Sequence, residues 1–87
     1  MDFGRIKMHK KAIKYFDKLD NITKERIREG INGLLEDPPV GNIKDLKGEF
    51  KGLKRLQIGD LRIIYIIDGK LIKITNILPR GDVYKRI

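Results

Sequence analysis

The sequence has no cysteine and a single histidine, His9. Without thiols there is no disulfide framework and no thiolate chemistry, and one histidine excludes every His-rich metal site. The longest unbroken apolar run, from Ile63 to Ile67, is far shorter than the roughly 20 residues that a membrane-spanning helix needs. The N-terminus, from Met1 to Arg5, lacks the apolar stretch of a signal peptide. These absences predict a soluble, cytoplasmic protein.

The positive charge is the main compositional feature of the chain. Its 87 residues, 40% of them hydrophobic, suffice for one core and predict a single domain over 1–87. Twenty Lys and Arg against twelve Asp and Glu give a net charge of +8. Residues 1–41 carry nine cations and seven carboxylates, whereas residues 42–87 carry eleven and five. The second half therefore resembles a footprint for a polyanion, although many small domains are Lys-rich for solubility alone.

The first half of the chain predicts a helical hairpin. From His9 to Leu19 the apolar residues recur at three- and four-residue spacing, which places them on one helix face. Asp20 and Asn21 supply turn and N-cap chemistry before a second helix. Pro38 and Pro39 are expected to end that second helix.

The second half predicts an antiparallel sheet. Three strand-like runs, Leu53–Ile58, Leu61–Ile67 and Lys70–Leu78, are separated by Gly59-Asp60 and Asp68-Gly69, which favour two-residue hairpin turns. Phe3–Lys7 is a possible front strand, and a short edge strand is possible between Ile43 and Gly52. The predicted fold is α+β, with the helical hairpin packed on one face of a three- to four-stranded antiparallel sheet in the order β-α-α-β-β-β.

Alternation along these strands assigns side chains to the two faces of the sheet. The face predicted to carry the helices has Leu56, Ile58, Leu61, Ile63, Tyr65, Ile72, Ile74 and Asn76. The opposite face has Arg55, Gln57, Arg62, Ile64, Ile66, Leu71, Lys73, Thr75 and Ile77. With no remaining element to cover it, that face is expected to meet a polyanion through its arginines and a protein segment through its apolar residues. A C-terminal turn or a homodimer contact is the alternative cover.

The strand sequences resemble a known family. The block Gly59-Asp60-x-Arg62-x-x-Tyr65, within Leu53–Tyr65, and the later Ile77-Leu78-Pro79-Arg80-Gly81-Asp82-Val83-Tyr84 are similar to the RelE/ParE superfamily of type II toxins. The "L-K-G" at Leu46–Gly48 and the Glu36-Asp37-Pro38 exit of the hairpin agree with it. The resemblance implies a toxin neutralised by a RelB-like antitoxin in a heterodimer or heterotetramer. RelE-like members cut mRNA in the ribosomal A site, and ParE-like members poison DNA gyrase.

The RelE-like resemblance implies an endoribonuclease that works without metal or cofactor, by attack of a ribose 2′-hydroxyl on the adjacent phosphate. Arg62 would bind the scissile phosphate, and Arg55 matches a second cationic position. Arg80 would stabilise the transition state or donate a proton, and Tyr84 would stack on a base or orient the nucleophile. Contacts to RNA and ribosome are expected from Lys47, Lys51, Lys54, Gln57, Lys73, Lys85 and Arg86. Antitoxin contacts are expected from Ile64, Ile66, Leu71 and Ile77.

The chain departs from the family pattern at catalytic positions. Gln57 stands where RelE has a lysine that is a candidate general base, and Pro79 replaces a histidine. Strict alternation also places Arg80 on the helix side of the sheet, so that it reaches the arginines only if the chain turns at Pro79. We therefore expect weak intrinsic cleavage or strong reliance on ribosomal groups. A gyrase inhibitor and a non-toxic antitoxin-binding homologue are the alternatives.

Overall fold

Two helices and five strands form within residues 3–80, which is the part of the chain that the computed structural model describes. They are β1 (Ile6–Met8), α1 (Lys10–Asp17), α2 (Asn21–Gly33), β2 (Asn42–Asp45), β3 (Lys54–Ile58), β4 (Leu61–Asp68) and β5 (Leu71–Pro79). Single 3-10 turns lie at Phe3–Arg5 and Gly48–Phe50. The α+β class and the helical hairpin are therefore as predicted.

The sheet has five strands in the order β1-β5-β4-β3-β2, rather than the three or four predicted. Strands β2 to β5 pair antiparallel, but β1 runs parallel to β5, so that the sheet is mixed. Parallel pairing is possible here because residues 9–70, which include the helical hairpin, provide the long connection that parallel strands need. Arg5 fastens this edge by donating from Nε to the carbonyl of Lys70 at 3.1 Å.

Both helices begin at side-chain caps, and the cap at Asp20 is the one that the sequence predicts. The Nδ1 atom of His9 accepts from the amide of Lys11 at 3.2 Å, and Oδ1 of Asp20 accepts from the amide of Thr23 at 2.8 Å. The hydrogen bonds from Thr23 lower the pKa of the Asp20 carboxyl below its usual value, because they favour the charged form. Helix α2 ends at Gly33, before the end predicted at Pro38 and Pro39, and Leu34 is its C-cap.

The main core lies between the helices and one face of the sheet. Ala12 of α1, Ile27 of α2 and Ile63 of β4 are completely buried there, and Tyr65 is 2% exposed. Burial raises the pKa of the Tyr65 hydroxyl, and the nearby Asp45 carboxylate raises it further. Tyr65 is thus a packing residue, as its position in the strand pattern predicts.

A one-residue bulge in β5 changes which side chains share a face. The β4–β5 turn consists of Gly69 and Lys70, because Asp68 pairs with Leu71. The register then shifts between Ile64 and Tyr65, with Thr75 as the extra residue. The hydroxyl of Thr75 donates to the carbonyl of Ile64 at 3.3 Å.

The bulge corrects two of the predicted orientations on β5. Ile77 pairs with Ile63 and belongs to the helix-side core, where it is 2% exposed, instead of the opposite face. Asn76 pairs with Ile64 and shares its face, instead of lying beneath the helices. Each β5 side chain after Thr75 lies on the face opposite to the predicted one, because alternation has a period of two and one residue has been inserted.

The face opposite the helices, here called the open face, is partly covered. The connector between β2 and β3, residues 46–53, folds over it and places Leu46, Phe50 and Leu53 against Ile64 and Leu78. Ile64 is therefore completely buried, which contradicts the expectation that no element of the chain covers this face. The connector contains too few apolar residues for a helix or long strand, so that its pattern does not reveal this packing.

Gly33 is required by a close approach between the end of α2 and the following loop. A Cβ atom at this position would lie 2.7 Å from the carbonyl oxygen of Val40, a backbone atom that cannot rotate away. At Gly30 the obstacle is instead the tip of the Ile58 side chain, which can move. We expect Gly33→Ala to lower the free energy of unfolding by about 1–3 kcal/mol, despite the better helix propensity of alanine.

Thermal unfolding followed by circular dichroism checks this expectation. Each kcal/mol corresponds to a shift of about 4–8 °C in a domain of this size. Gly30→Ala is the matched control, because it makes the same change in the same helix against a movable neighbour. An equal or smaller loss of Tm in Gly33→Ala than in Gly30→Ala would contradict the backbone-contact explanation.

Candidate functional site

Two arginines lie side by side on the open face. Arg55 of β3 pairs with Ile64, and Arg62 of β4 pairs with Gln57, so that the two arginines are diagonal neighbours on adjacent strands. Such a diagonal spans about 7–8 Å between backbones, which is within reach of long side chains. The structure thus brings together Arg55, Gln57 and Arg62, as the sequence predicts from the two-residue turn at Gly59-Asp60.

Arg55 is held in a network of neutral amides. Its side chain is 7% exposed, and its two Nη atoms donate to Oε1 of Gln57 at 3.2 Å and to Oδ1 of Asn42 at 3.5 Å. Gln57 in turn donates from Nε2 to the carbonyl of Gly59 at 3.3 Å. The amide of Gln57 is therefore oriented by Arg55. Asn42 is a partner that the sequence pattern does not reveal, because the pairing of β2 with β3 is not evident in it.

Neither arginine has a counterion within residues 3–80. The ion pairs found there are Arg28–Glu25, Lys54–Asp45 and Lys73–Asp68. The Nε atoms of Arg55 and Arg62 are both buried without a hydrogen-bond partner. Leaving buried cationic donors unpaired is costly. The site is consequently suited to an anion that would supply the missing charge.

The bulge at Thr75 also decides the side on which Arg80 lies. Leu78 packs on the open face beside Ile64, and Arg80 follows it by two residues, which gives it the same orientation. The amide of Arg80 donates to the carbonyl of Asp60 at 2.7 Å, continuing the β4–β5 pairing beyond the strand. The predicted helix-side orientation of Arg80 is therefore wrong, and no turn at Pro79 is needed. Arg80 is exposed.

The predicted RNA-contacting lysines occupy different environments. Lys47 and Lys51 are exposed on the connector, where they line a cavity of about 450 Å³ together with Gly48, Gly52 and Lys54. Lys54 forms an ion pair with Asp45, and Lys73 forms one with Asp68 at 2.8 Å. The Lys73 contact lowers the pKa of the Asp68 carboxyl. Lys47 and Lys51 are therefore freer to bind an anion than the two paired lysines.

The four residues expected to contact an antitoxin divide into two pairs. Ile64 and Ile77 are buried in the two cores and present no side chain to a partner in this conformation. Their predicted exposure is wrong, because the connector covers the first and the bulge turns the second inward. Ile66 and Leu71 are half-buried, and pairing places both on the open face.

Some predicted site residues lie outside the described part of the chain. These are Tyr84, Lys85 and Arg86. Within residues 3–80, no group of three or more His, Asp or Glu side chains is arranged to hold a metal ion. No helix in that same range is long and apolar enough to span a membrane.

Sequence comparison assigns the family. The family model for the ParE toxin of type II toxin-antitoxin system, parDE, matches residues 6–84 of the chain. The chain belongs to the RelE/ParE superfamily of type II toxins. No curated protein sequence matches this toxin significantly.

Solved structures agree with this assignment. The toxin is 34% identical to a chain in the archaeal RelE–RelB complex from Pyrococcus horikoshii OT3, with 88% of this chain and 94% of that chain covered and a TM-score of 0.71. It is 26% identical to the YoeB dimer from Staphylococcus aureus, covering 83% and 91% with a TM-score of 0.66. The RelB–RelE complex from Methanococcus jannaschii shares the fold at 21% identity, covering 91% and 95% with a TM-score of 0.72.

Proposed function

We propose that this toxin is a ribosome-dependent endoribonuclease that cleaves mRNA in the A site. The observation that carries the proposal is the pair of neighbouring arginines without a counterion, Arg55 and Arg62, on the open face. Two like charges at diagonal positions on adjacent strands repel each other, and a phosphodiester between or beside them offsets that repulsion. The similarity to archaeal RelE and to YoeB supports this branch of the superfamily.

The proposed reaction needs no metal. The ribose 2′-oxygen attacks the adjacent phosphorus, the bond from phosphorus to the leaving 5′-oxygen breaks, and the products are a 2′,3′-cyclic phosphate and a 5′-hydroxyl end. The 2′-hydroxyl loses its proton to a base, and the leaving oxygen gains one from an acid. Arg62 binds the phosphate oxygens on which negative charge increases in the transition state. Arg80 lies on the same face, and we propose that it stabilises that charge or protonates the leaving group, while Tyr84 orients the nucleophile.

Arg55 contributes in a different way from Arg62 in this proposal. Since it is nearly buried and its Nη atoms are bonded to Gln57 and Asn42, it strengthens the positive potential at the site without direct contact with the phosphate. Gln57 holds Arg55 and cannot accept a proton, because an amide is not basic at neutral pH. The general base for the 2′-hydroxyl must accordingly come from the ribosome or from another toxin residue. We propose that Lys47 and Lys51, which have no ion pair among residues 3–80, contact the RNA backbone.

We propose a RelB-like antitoxin as the second partner. The Pyrococcus and Methanococcus relatives are both structures of RelE with RelB. Ile66 and Leu71 are the antitoxin-contacting residues that remain accessible on the open face. A protein segment lying there would cover apolar surface and approach the arginines, so that one partner would block access of the other.

DNA gyrase inhibition is the alternative function. Two observations favour it: the matching family model is that of ParE, and Gln57 occupies the position of a candidate base. The two functions are separated by what expression of the toxin damages. A gyrase inhibitor would stall replication and induce a DNA-damage response while mRNA stays intact.

Mapping of mRNA 5′ ends after induction in a bacterium tests the proposed function. We expect new 5′-hydroxyl ends within translated reading frames, and we expect them to disappear when translation initiation is blocked on the same transcript. An untranslated copy of that transcript in the same cells is the control. Intact mRNA together with a damage response would contradict the proposal and support the gyrase alternative.

A further inference from the structure

The surface of α1 carries a separate row of lysines that the catalytic proposal does not use. Lys10, Lys14 and Lys18 follow one another at four-residue spacing, which at 1.5 Å per residue places them roughly 6 Å apart along one face. Lys11 lies beside this row. All four side chains are exposed, and Lys10 and Lys14 lie on the side of the helix opposite the buried Ala12. We call these four residues the lysine stripe.

The lysine stripe destabilises the helix that carries it. Like charges four residues apart destabilise a helix by roughly 0.2–0.5 kcal/mol per pair, and the stripe contains two such pairs. The first turn of α1 contains no acidic residue, although acidic residues are favoured at the positive end of the helix dipole. Within residues 3–80, no stripe lysine has an ion pair, and Asp17, the carboxylate of α1, does not form one either.

Helix α2 differs from α1 in this respect. Residues 3–19 carry six cations and one carboxylate, whereas residues 20–41 carry three cations and five carboxylates. On α2, Arg28 forms an ion pair with Glu25 and lies over the Phe16 ring at 5.4 Å from its centroid. The small net charge of residues 1–41 is therefore the sum of a basic segment that contains α1 and a segment of mixed charge that contains α2.

The composition of the stripe favours RNA over protein as its partner. Protein interfaces are depleted in lysine and depend on buried aromatic or apolar anchors, and the stripe itself contains only lysines. Evenly spaced cations without apolar anchors instead suit the regular phosphates of a nucleic-acid backbone, where each contact releases counterions. A cavity of about 250 Å³ between α1 and β5, lined by Lys11 and Tyr15 on one side and by Asn76 and Leu78 on the other, connects the stripe to the open-face residues.

We propose that the lysine stripe of α1 is a second RNA-binding surface, which grips the backbone of structured ribosomal RNA while the open face holds the mRNA. The proposal rests on the proposed function for the source of the RNA. The open-face residues carry out the cleavage, and the stripe binds the ribosomal RNA. Binding there is expected to be independent of sequence and strongly salt-dependent.

Titration of the full chain with a fluorescein-labelled RNA hairpin at several salt concentrations tests the stripe directly. We expect Lys10→Gln/Lys14→Gln to reduce the slope of log K against log salt by about 2, one for each lost phosphate contact. The matched control is Arg26→Gln/Arg28→Gln, which removes the same charge from exposed positions of α2. Its slope should equal that of the unmodified chain. Equal slopes in both variants, or no measurable hairpin binding by the unmodified chain, would overturn the proposal.

A second measurement separates the stripe from the cleavage proposal and from a protein partner. Translation-dependent mRNA cleavage is expected to fall at physiological salt in the stripe variant and not in the α2 control. A further outcome is that the unmodified chain makes no such cuts while the salt slopes of RNA-hairpin binding still differ between the two variants as expected. In that case the proposed function fails and the stripe remains an RNA-binding surface. If the stripe variant instead loses co-purification with the antitoxin while its slope is unchanged, the stripe binds protein and the inference is wrong.

Discussion

Replacement of Arg62 by alanine is expected to abolish toxicity while leaving the fold and antitoxin binding intact. Arg62 provides the phosphate contact proposed for the transition state, and removal of one such donor typically costs about 10²–10³ in rate. Stability should change little, because the Nε of Arg62 has no partner in the described part of the chain and its loss breaks no hydrogen bond found there. Growth after induction and counts of translation-dependent 5′ ends measure the effect.

Two variants make the Arg62 experiment specific. Arg26→Ala removes an arginine from the exposed surface of α2 and should leave toxicity unchanged. Arg62→Lys keeps the charge but loses the planar fork that binds two phosphate oxygens, so that partial activity is expected. Full toxicity in Arg62→Ala, in a chain that melts at the same temperature as the original, would refute the assignment of Arg62.

Much of the fold follows from local sequence signals. The cap at Asp20 and the turn at Gly59-Asp60 place the start of α2 and the β3–β4 pairing correctly, because each depends on residues close together in the chain. The parallel pairing of β1 with β5 joins Ile6 to Ile72. No local pattern encodes a contact over that sequence separation, and the strand is too short to show alternation.

The site is predicted less well, for a related reason. Arg55, Gln57 and Arg62 are placed correctly because a two-residue turn fixes their register. Arg80 and Ile77 are assigned to the wrong faces because one extra residue, Thr75, inverts the alternation of everything after it. Nothing in the composition around Thr75 marks a bulge, since the stretch contains neither glycine nor proline.

Ile64→Lys is expected to prevent folding, whereas Ile66→Lys should fold and lose affinity for the antitoxin. Ile64 is completely buried under Leu46 and Leu78, and the residue opposite it in β3 is the cationic Arg55. A lysine there would be a buried charge beside a like charge, at a cost of several kcal/mol, comparable with the stability of a small domain. Circular dichroism and a melting curve report the loss of the folded state.

Ile66 shares the open face but is only half-buried, so that a lysine can extend its charged end into water there. We expect a near-normal melting curve and about tenfold weaker antitoxin binding, equivalent to about 1.4 kcal/mol, from the loss of an apolar contact. Co-expression with the proposed RelB-like antitoxin, followed by titration of the purified chains, measures this. A folded Ile64→Lys chain would show that the connector does not seal the open face, and unchanged binding in Ile66→Lys would place the antitoxin elsewhere.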